Sequence, residues 1–253
     1  MKTIPVAVQL FTLREESEKD FAGTLKKVAE LGYAGVEFAG FCGLSASEVK
    51  ALLDEYGLKA ASSHISLDQI KNNLPQVIEE QKVIGSRYIV CPYLLPEQRN
   101  EADYQALLLI LKEAEEECQK EGITLCYHNH DFELEKLADG RTALQTILDE
   151  TKTAAEFDIY WLTKAGEQPV DWIKRYAGRT PLIHLKDMTT DNEQFFAELG
   201  TGGVNLEAVF EAAEGTNVEW WIVEQDMTKR TPFESIEISL NYLKTKMPHL
   251  AGK

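Results

Sequence analysis

Eight times along this 253-residue chain a short apolar run is followed by a longer amphipathic stretch, and a glycine often marks the return to the next run. A short apolar run bounded by turn signals reads as a buried strand, and apolar residues three and four apart read as one face of a helix. The first unit is PVAVQL (5–10) followed by FAGTLKKVAELG, where Phe21, Leu25, Val28 and Leu31 share a helical face. The second is AGVEF (34–38) followed by SASEVKALLDEYG, whose Ser45 and Glu48 form a capping-box pattern. Further strands are expected over KAASSH (59–64), RYIVCPY (87–93), ITLCYH (123–128), AAEFDIYW (154–161), PLIHLKD (181–187) and VEWWIVEQD (218–226). Helices are expected between and after them, within 68–84, 101–120, 141–150, 170–176, 205–214 and 232–245.

Eight strand–helix units without a break in composition predict one α/β domain over residues 1–253, a parallel sheet closed into a (β/α)8 TIM barrel. An open doubly wound sheet would need a glycine-rich first turn. The first strand is followed instead by the tail of QLFTLREES, with neither GxGxxG nor a P-loop. The start, MKTIPVAVQLF, reads as a first strand rather than a secretory signal, and no apolar run is long enough to span a membrane. A formal charge of −16 argues against a nucleic-acid partner. Cys42, Cys91, Cys118 and Cys126 show no CxxC spacing, which fits reduced, structural thiols in a cytoplasmic protein.

In such a barrel the active site lies at the C-terminal strand ends. The polar residues expected there are Gln9, Glu37, His64, His128, His130, Asp158, His184, Lys186, Asp187, Glu224, Gln225 and Asp226, leaving only His249 of the five histidines in the tail. Any one of these has a structural explanation, but ionisable groups gathered on one rim are costly unless paired or bound to a cation. His128, Asp158, His184 and Glu224 come one each from strands five to eight. Two imidazoles and two carboxylates suit Mn2+, Zn2+ or Co2+ better than Mg2+. His128 and His130, two apart in YHNHDFE, are expected on one face, with Asn129 turned away in a structural role.

The stretches VQLFTLR, ELGYAGVEF, SSH, YHNHDFE, FDIYW, HLKDM and IVEQD, spread over nearly the whole chain, resemble the xylose-isomerase-like TIM-barrel superfamily, near its inosose dehydratase and ketose 3-epimerase branches. The resemblance implies a Glu, Asp, His, Glu metal set, of which Asp158, His184 and Glu224 match the last three. His128 stands where the first glutamate is expected, so the epimerases' paired carboxylates are incomplete unless Glu133 folds back. The resemblance further implies a small-molecule carbohydrate substrate and frequent homo-oligomers.

The activity expected from this combination is a metal-dependent isomerase or epimerase working through an enediolate. Glu224 is the expected base, and His130 or Glu133 its counterpart. Lys186 is assigned to a developing oxyanion or a leaving hydroxyl, against an ordinary ion pair with Asp187 or Glu224. Gln9, Glu37 and His64 are assigned to substrate hydroxyls, and Trp161 and Phe11 to an apolar sugar face, against packing roles. The loop ELGTGGVN (198–205) offers backbone amides to a phosphate, or is simply a flexible connection. The alternatives are a keto-sugar or cyclitol lyase or dehydratase, including a 3-keto-glycoside-cleaving enzyme, and a non-catalytic sugar-binding barrel.

Overall fold

The apolar runs become the staves of a barrel in a computed structural model of the chain, which describes residues 3–247. The strands are β1 (Val6–Gln9), β2 (Gly35–Phe38), β3 (Lys59–His64), β4 (Tyr88–Cys91), β5 (Thr124–His128), β6 (Ala154–Asp158) and β7 (Leu182–Leu185). After them β8 (Asp187–Met188) and β9 (Phe196–Ala197) form a small antiparallel pair outside the barrel, and β10 (Trp220–Val223) is the eighth stave. Every stave runs parallel to its neighbours, and β10 closes the ring between β7 and β1. His249 lies outside the described residues.

Ten α-helices are described: α1 (Arg14–Lys19), α2 (Phe21–Leu31), α3 (Ala46–Tyr56), α4 (Leu67–Ile84), α5 (Glu101–Lys120), α6 (Ala143–Glu150), α7 (Ile159–Lys164), α8 (Pro169–Arg175), α9 (Leu206–Ala213) and α10 (Pro232–Lys246). The capping box of α3 forms as its residues require. Ser45 Oγ accepts from Glu48 N at 3.3 Å, and Glu48 Oε2 accepts from Ser45 N at 2.8 Å. Among the described residues no helix is long and apolar enough to cross a membrane.

The sixth strand is shorter than its apolar pattern suggests. Asp158 Oδ1 accepts from the backbone of Tyr160 at 2.9 Å and Trp161 at 3.1 Å, so it caps α7 and turns IYW into helix. PLIHLKD also divides: Leu182–Leu185 stays in the barrel, and Asp187–Met188 pairs with β9.

Side chains alternate along each strand, so each stave sends every second residue inward. Ala7, Tyr88, Val90, Cys126, Ala154, Leu182, Trp220 and Ile222 fill the lower barrel with an apolar plug. Two residues further along, the same inward rows carry Gln9, His128, Glu156, His184 and Glu224. A register irregularity against β2 leaves Ala61 in the plug, while Ser62 also faces inward to bond Glu37. All four cysteines are free, with Cys91, Cys118 and Cys126 buried.

Candidate active site

The polar rows meet above the plug in two tiers. The lower tier centres on Glu37, which is fully buried. Gln9 Nε2 donates to its Oε2 at 2.7 Å, Ser62 Oγ donates to its Oε1 at 2.7 Å, and His184 Nε2 lies 2.6 Å from its Oε2. His64 Nε2 lies 2.8 Å from Glu156 Oε2, and the His64 and His184 rings stack at 5.4 Å. Burial opposes the charge on Glu37, but the imidazoles of His64 and His184 hold its carboxyl well below the usual carboxylate range. Burial likewise opposes the charge on His64, yet Glu37 and Glu156 carry its pKa up to about 10.

Gln9 and Glu37, expected at substrate hydroxyls, are fully buried and absent from the cleft lining; Gln9 bonds Glu37, which in turn lies against His184 Nε2. Phe11 N donates to Gln9 Oε1 at 2.9 Å, which occupies the remaining side-chain acceptor. Glu156, not singled out in the sequence, belongs to this tier. It lies two residues before Asp158, so strand alternation was the available signal.

The upper tier holds His128, Asp158, His184 and Glu224, each offering one ligand atom, all within 4.8 Å of one another. His184 Nδ1 lies 2.9 Å from Glu224 Oε2, and His128 Nε2 lies 3.3 Å from Asp158 Oδ2. Asp158 therefore divides its labour, with Oδ1 capping α7 and Oδ2 facing the cluster. Asn129 locks the two strand ends together, as its Oδ1 accepts from Asp158 N at 3.0 Å and its Nδ2 donates to Asp158 O at 3.4 Å.

Lys186, fully buried as a side chain, joins three carboxylates: Asp158 Oδ2 at 2.9 Å, Glu224 Oε2 at 2.6 Å and Asp226 Oδ2 at 2.7 Å. Burial opposes its charge, but these carboxylates raise its pKa well above the ordinary lysine value. Burial also works against ionised Asp158 and Glu224, and the Lys186 ammonium beside them is the leading influence that nonetheless holds both low. Lys186 thus forms the ion pair with Glu224 that is the alternative to a catalytic role, and leaves Asp187 to another task.

Glu133 does fold back, but behind β5. Its Oε1 accepts from Tyr127 Oη at 2.8 Å and its Oε2 from His130 N at 2.8 Å, and burial pushes its pKa up to about 8. Tyr127 and His128 alternate across β5, so Glu133 stays out of the cluster and does not replace the expected carboxylate. His130 packs against His128 at 4.9 Å and Trp161 at 5.2 Å. Burial, then His128 and Lys186, push its pKa well down, leaving a neutral ring. Trp161 backs this ring and is absent from the cleft lining.

The upper tier fits a divalent ion. Both ring nitrogens of His128 are buried without a hydrogen-bond partner among the described residues, Nε2 facing Asp158 Oδ2 at 3.3 Å while that oxygen also pairs with Lys186. Orphaned buried acceptors are costly, and a two-nitrogen, two-carboxylate set matches the preferences of Mn2+, Zn2+ or Co2+. Glu37, His64, Glu156 and His184 also lie close enough to hold an ion. Most of their polar atoms already bond one another, so that tier reads as support for His184.

Above these tiers opens a cleft of about 460 Å³, lined by the polar His64, Ser66, His128, His130, Glu224 and Asp226 and the apolar Phe11, Ala39, Pro92 and Tyr93. A depression of about 570 Å³ near Lys59, Tyr88 and Trp220 lies against the apolar plug, and no residue of the two polar tiers lines it. Asp226, expected at the rim without an assigned role, lines the cleft; burial raises its pKa although Lys186 opposes this.

The glycine loop is already committed. Asp187 Oδ2 accepts from Gly200 N and Gly202 N at 3.0 Å, and its Oδ1 from Val204 N at 3.0 Å and Met188 N at 2.8 Å. Thr201 N and Gly203 N donate to the carbonyls of Glu198 and Met188. The amides expected for a phosphate are thus engaged by a carboxylate of the chain itself.

Fold and site together define a (β/α)8 barrel with a metal-type centre of imidazoles and carboxylates at its C-terminal mouth. The chain belongs to the xylose isomerase-like TIM barrel family, whose model matches residues 25–246. It is 24% identical over 270 residues to an inosose dehydratase of Geobacillus kaustophilus, covering 89% of this chain and 87% of that one. It is 27% identical over 166 residues to an inosose dehydratase of Clostridium beijerinckii, a match spanning 58% of this chain and 56% of that protein. A crystal structure of a sugar phosphate isomerase/epimerase from Parabacteroides distasonis superposes with a TM-score of 0.82 at 24% identity, covering 96% of this chain and 97% of that one. That likeness shows the fold; the family is one of enzymes.

Proposed function

We propose that the chain is a metal-dependent lyase that takes the proton beside a carbonyl of a carbohydrate or cyclitol and expels the oxygen substituent one carbon further on. The observation that carries this reading is the placement of the acids. Glu224 and Asp226 both line the cleft and share Lys186, while Glu133 is turned behind β5. Paired carboxylates on opposite faces of a carbon suit epimerisation, whereas a base and an acid side by side suit elimination. Isomerisation, the activity expected first from the sequence, therefore becomes the second reading.

Glu224 accepts the proton, and the electrons of the broken C–H bond form the new C=C bond. The C–O bond breaks, and the departing oxygen takes its proton from Asp226. Lys186 keeps the two carboxyls in register, and His64 and His130 hold substrate hydroxyls. A divalent ion held by His128, Asp158, His184 and Glu224 would supply Lewis-acid polarisation of the substrate carbonyl. The dehydratase names of the two sequence relatives support the reaction class.

The second reading rests on His130, a neutral imidazole lining the same cleft as Glu224 and able to serve as its counterpart in proton return. Incubation of metal-loaded protein with inososes, ketoses and 3-keto-glycosides in D2O separates the two. Elimination products that fall roughly 10²–10⁴-fold in rate in Glu224→Gln are expected. Deuterium gain without elimination would transfer the assignment to an epimerase. If neither His128→Ala nor Glu224→Ala lowers bound metal in elemental analysis, the centre itself is wrong.

A further inference from the structure

The cleft is lined by groups of two kinds. Ionisable groups of the upper tier share one cavity with Phe11, Ala39, Pro92 and Tyr93, which follow β1, β2 and β4, with His64 and Ser66 of the β3 end between them. Phe11 is 40% exposed and Tyr93 42% exposed. Among the described residues the exposed large hydrophobics are Phe11, Val83, Tyr93, Leu95, Leu109 and Met227, and all but Val83 and Leu109 follow β1, β4 or β10 at the barrel mouth. Scattered exposed apolar residues are ordinary, but a concentration on one rim marks a contact surface.

The apolar wall is held in place before any ligand arrives. The Tyr93 ring meets His130 edge-on at 5.1 Å and Phe132 at 5.7 Å. Arg99 covers Phe132 at 3.6 Å and donates twice to Leu94 O, and Arg14 covers Phe11 at 4.4 Å and donates to Phe11 O. Arg99 and Arg14 are therefore engaged with rings and backbone, and Arg230, which lines an adjoining depression with Asp226, lies 3.5 Å from Glu198 Oε1. Lys186 is surrounded by carboxylates, and Asp187 engages the glycine loop. A carbohydrate phosphate would meet acidic groups without a free cluster of donors.

We propose that this cleft takes an uncharged carbohydrate bearing an apolar, ring-containing substituent, with the sugar over the upper tier and the substituent against Phe11, Pro92 and Tyr93. The inference rests on reading the cleft as a carbohydrate site, and adds the nature of what the sugar carries. Continuity of the wall with the polar groups in one cavity argues for a small-molecule substituent rather than a second copy of the chain.

Calorimetric titration of the metal-loaded protein with methyl β-D-glucoside, phenyl β-D-glucoside, glucose and glucose 6-phosphate tests it, since the two glucosides have no free carbonyl and the other two expose one only in their minor open-chain form. Phenyl glucoside is expected to bind about tenfold more tightly than methyl glucoside, from burial of part of one ring. The advantage should vanish in Phe11→Ala and Tyr93→Ala and persist in Tyr93→Phe, while the 6-phosphate binds no better than glucose. Equal affinity for the two glucosides, no binding of either, or tenfold preference for the phosphate would overturn the proposal. So would light scattering that finds a dimer dissociated by Tyr93→Ala together with equal glucoside affinities, an outcome assigning the wall to a second copy. The lyase assignment fails separately, in the D2O experiment, and leaves the phenyl preference measurable.

Discussion

Lys186 is the residue on which the centre's electrostatics turn. Its ammonium contacts Asp158, Glu224 and Asp226, and breaking such a buried set by removing one partner typically costs about 3–5 kcal/mol. Lys186→Met is therefore expected to lower the melting temperature of metal-free protein sharply. Added Mn2+ or Zn2+ should recover more stability in this variant than in the parent, because the ion then meets carboxylates without a competing cation. Equal metal-induced shifts in thermal denaturation would show that lysine and metal do not compete.

Glu133 has the opposite character, a buried carboxyl for which burial outweighs its hydrogen bonds and the charge of Arg99, so that its pKa is pushed up to about 8. An unfolded glutamate titrates near about 4.3, so the folded state holds the extra proton across the interval between. Its contribution to stability is complete below the unfolded value and is lost as pH rises through the folded one. The substitution Glu133→Gln copies the protonated form, the new amide oxygen accepting from His130 N and the new amide nitrogen donating to Tyr127 Oη. The difference in melting temperature between variant and parent should move in the variant's favour from pH 5 to pH 8. A flat difference across that range would remove the argument.

At the scale of elements, Asp187 organises the connection from β7 to α9. Its carboxylate accepts from Gly200, Gly202, Val204 and Met188, and Gly202 is tight enough that a Cβ there would sit 2.3 Å from Met188 O. Asp187→Ala leaves those amides without their acceptor and is expected to cost about 3 kcal/mol. Hydrogen exchange should accelerate selectively over residues 199–204. Unchanged protection there would show that the loop is held by something else. The glycine pattern is visible in the sequence, but two readings of it stay open there, because a nest of amides looks the same whether an external anion or a nearby side chain fills it.

Strand boundaries illustrate the same limit. AAEFDIYW has the composition of one long strand, yet it breaks at Asp158 because a carboxylate can cap the helix that follows. That carboxylate's other oxygen faces the metal-type centre, so the element boundary and the site are set by one side chain. The capping box of α3, by contrast, is legible from Ser45 and Glu48, because its partners lie within one turn of each other.

For the whole molecule, a divalent ion that binds the native barrel and not the unfolded chain should stabilise it by about 2.7 kcal/mol at a hundredfold excess over Kd. A concentration-dependent rise in melting temperature with Mn2+, Zn2+ or Co2+, lost in His128→Ala, is the expected outcome. An unchanged melting temperature with every ion would count against the centre.

The sequence by itself determined the barrel and its active end, because hydrophobic periodicity and strand–helix alternation are local patterns that admit few closed arrangements. It also placed His128, Asp158, His184 and Glu224 one per strand, since strand ends can be counted along the chain. Only the tertiary structure decided what each polar group faces. Glu37 and Gln9 turn out to support His184, Glu156 joins them, Lys186 binds three carboxylates, and Glu133 pairs with Tyr127. Those outcomes depend on barrel register, a bulge and the turn after β5, which bring together residues as far apart as Glu37 and His184. A carboxylate's role follows from the charge and donors within a few ångströms of it, and in this barrel most of those neighbours come from other strands.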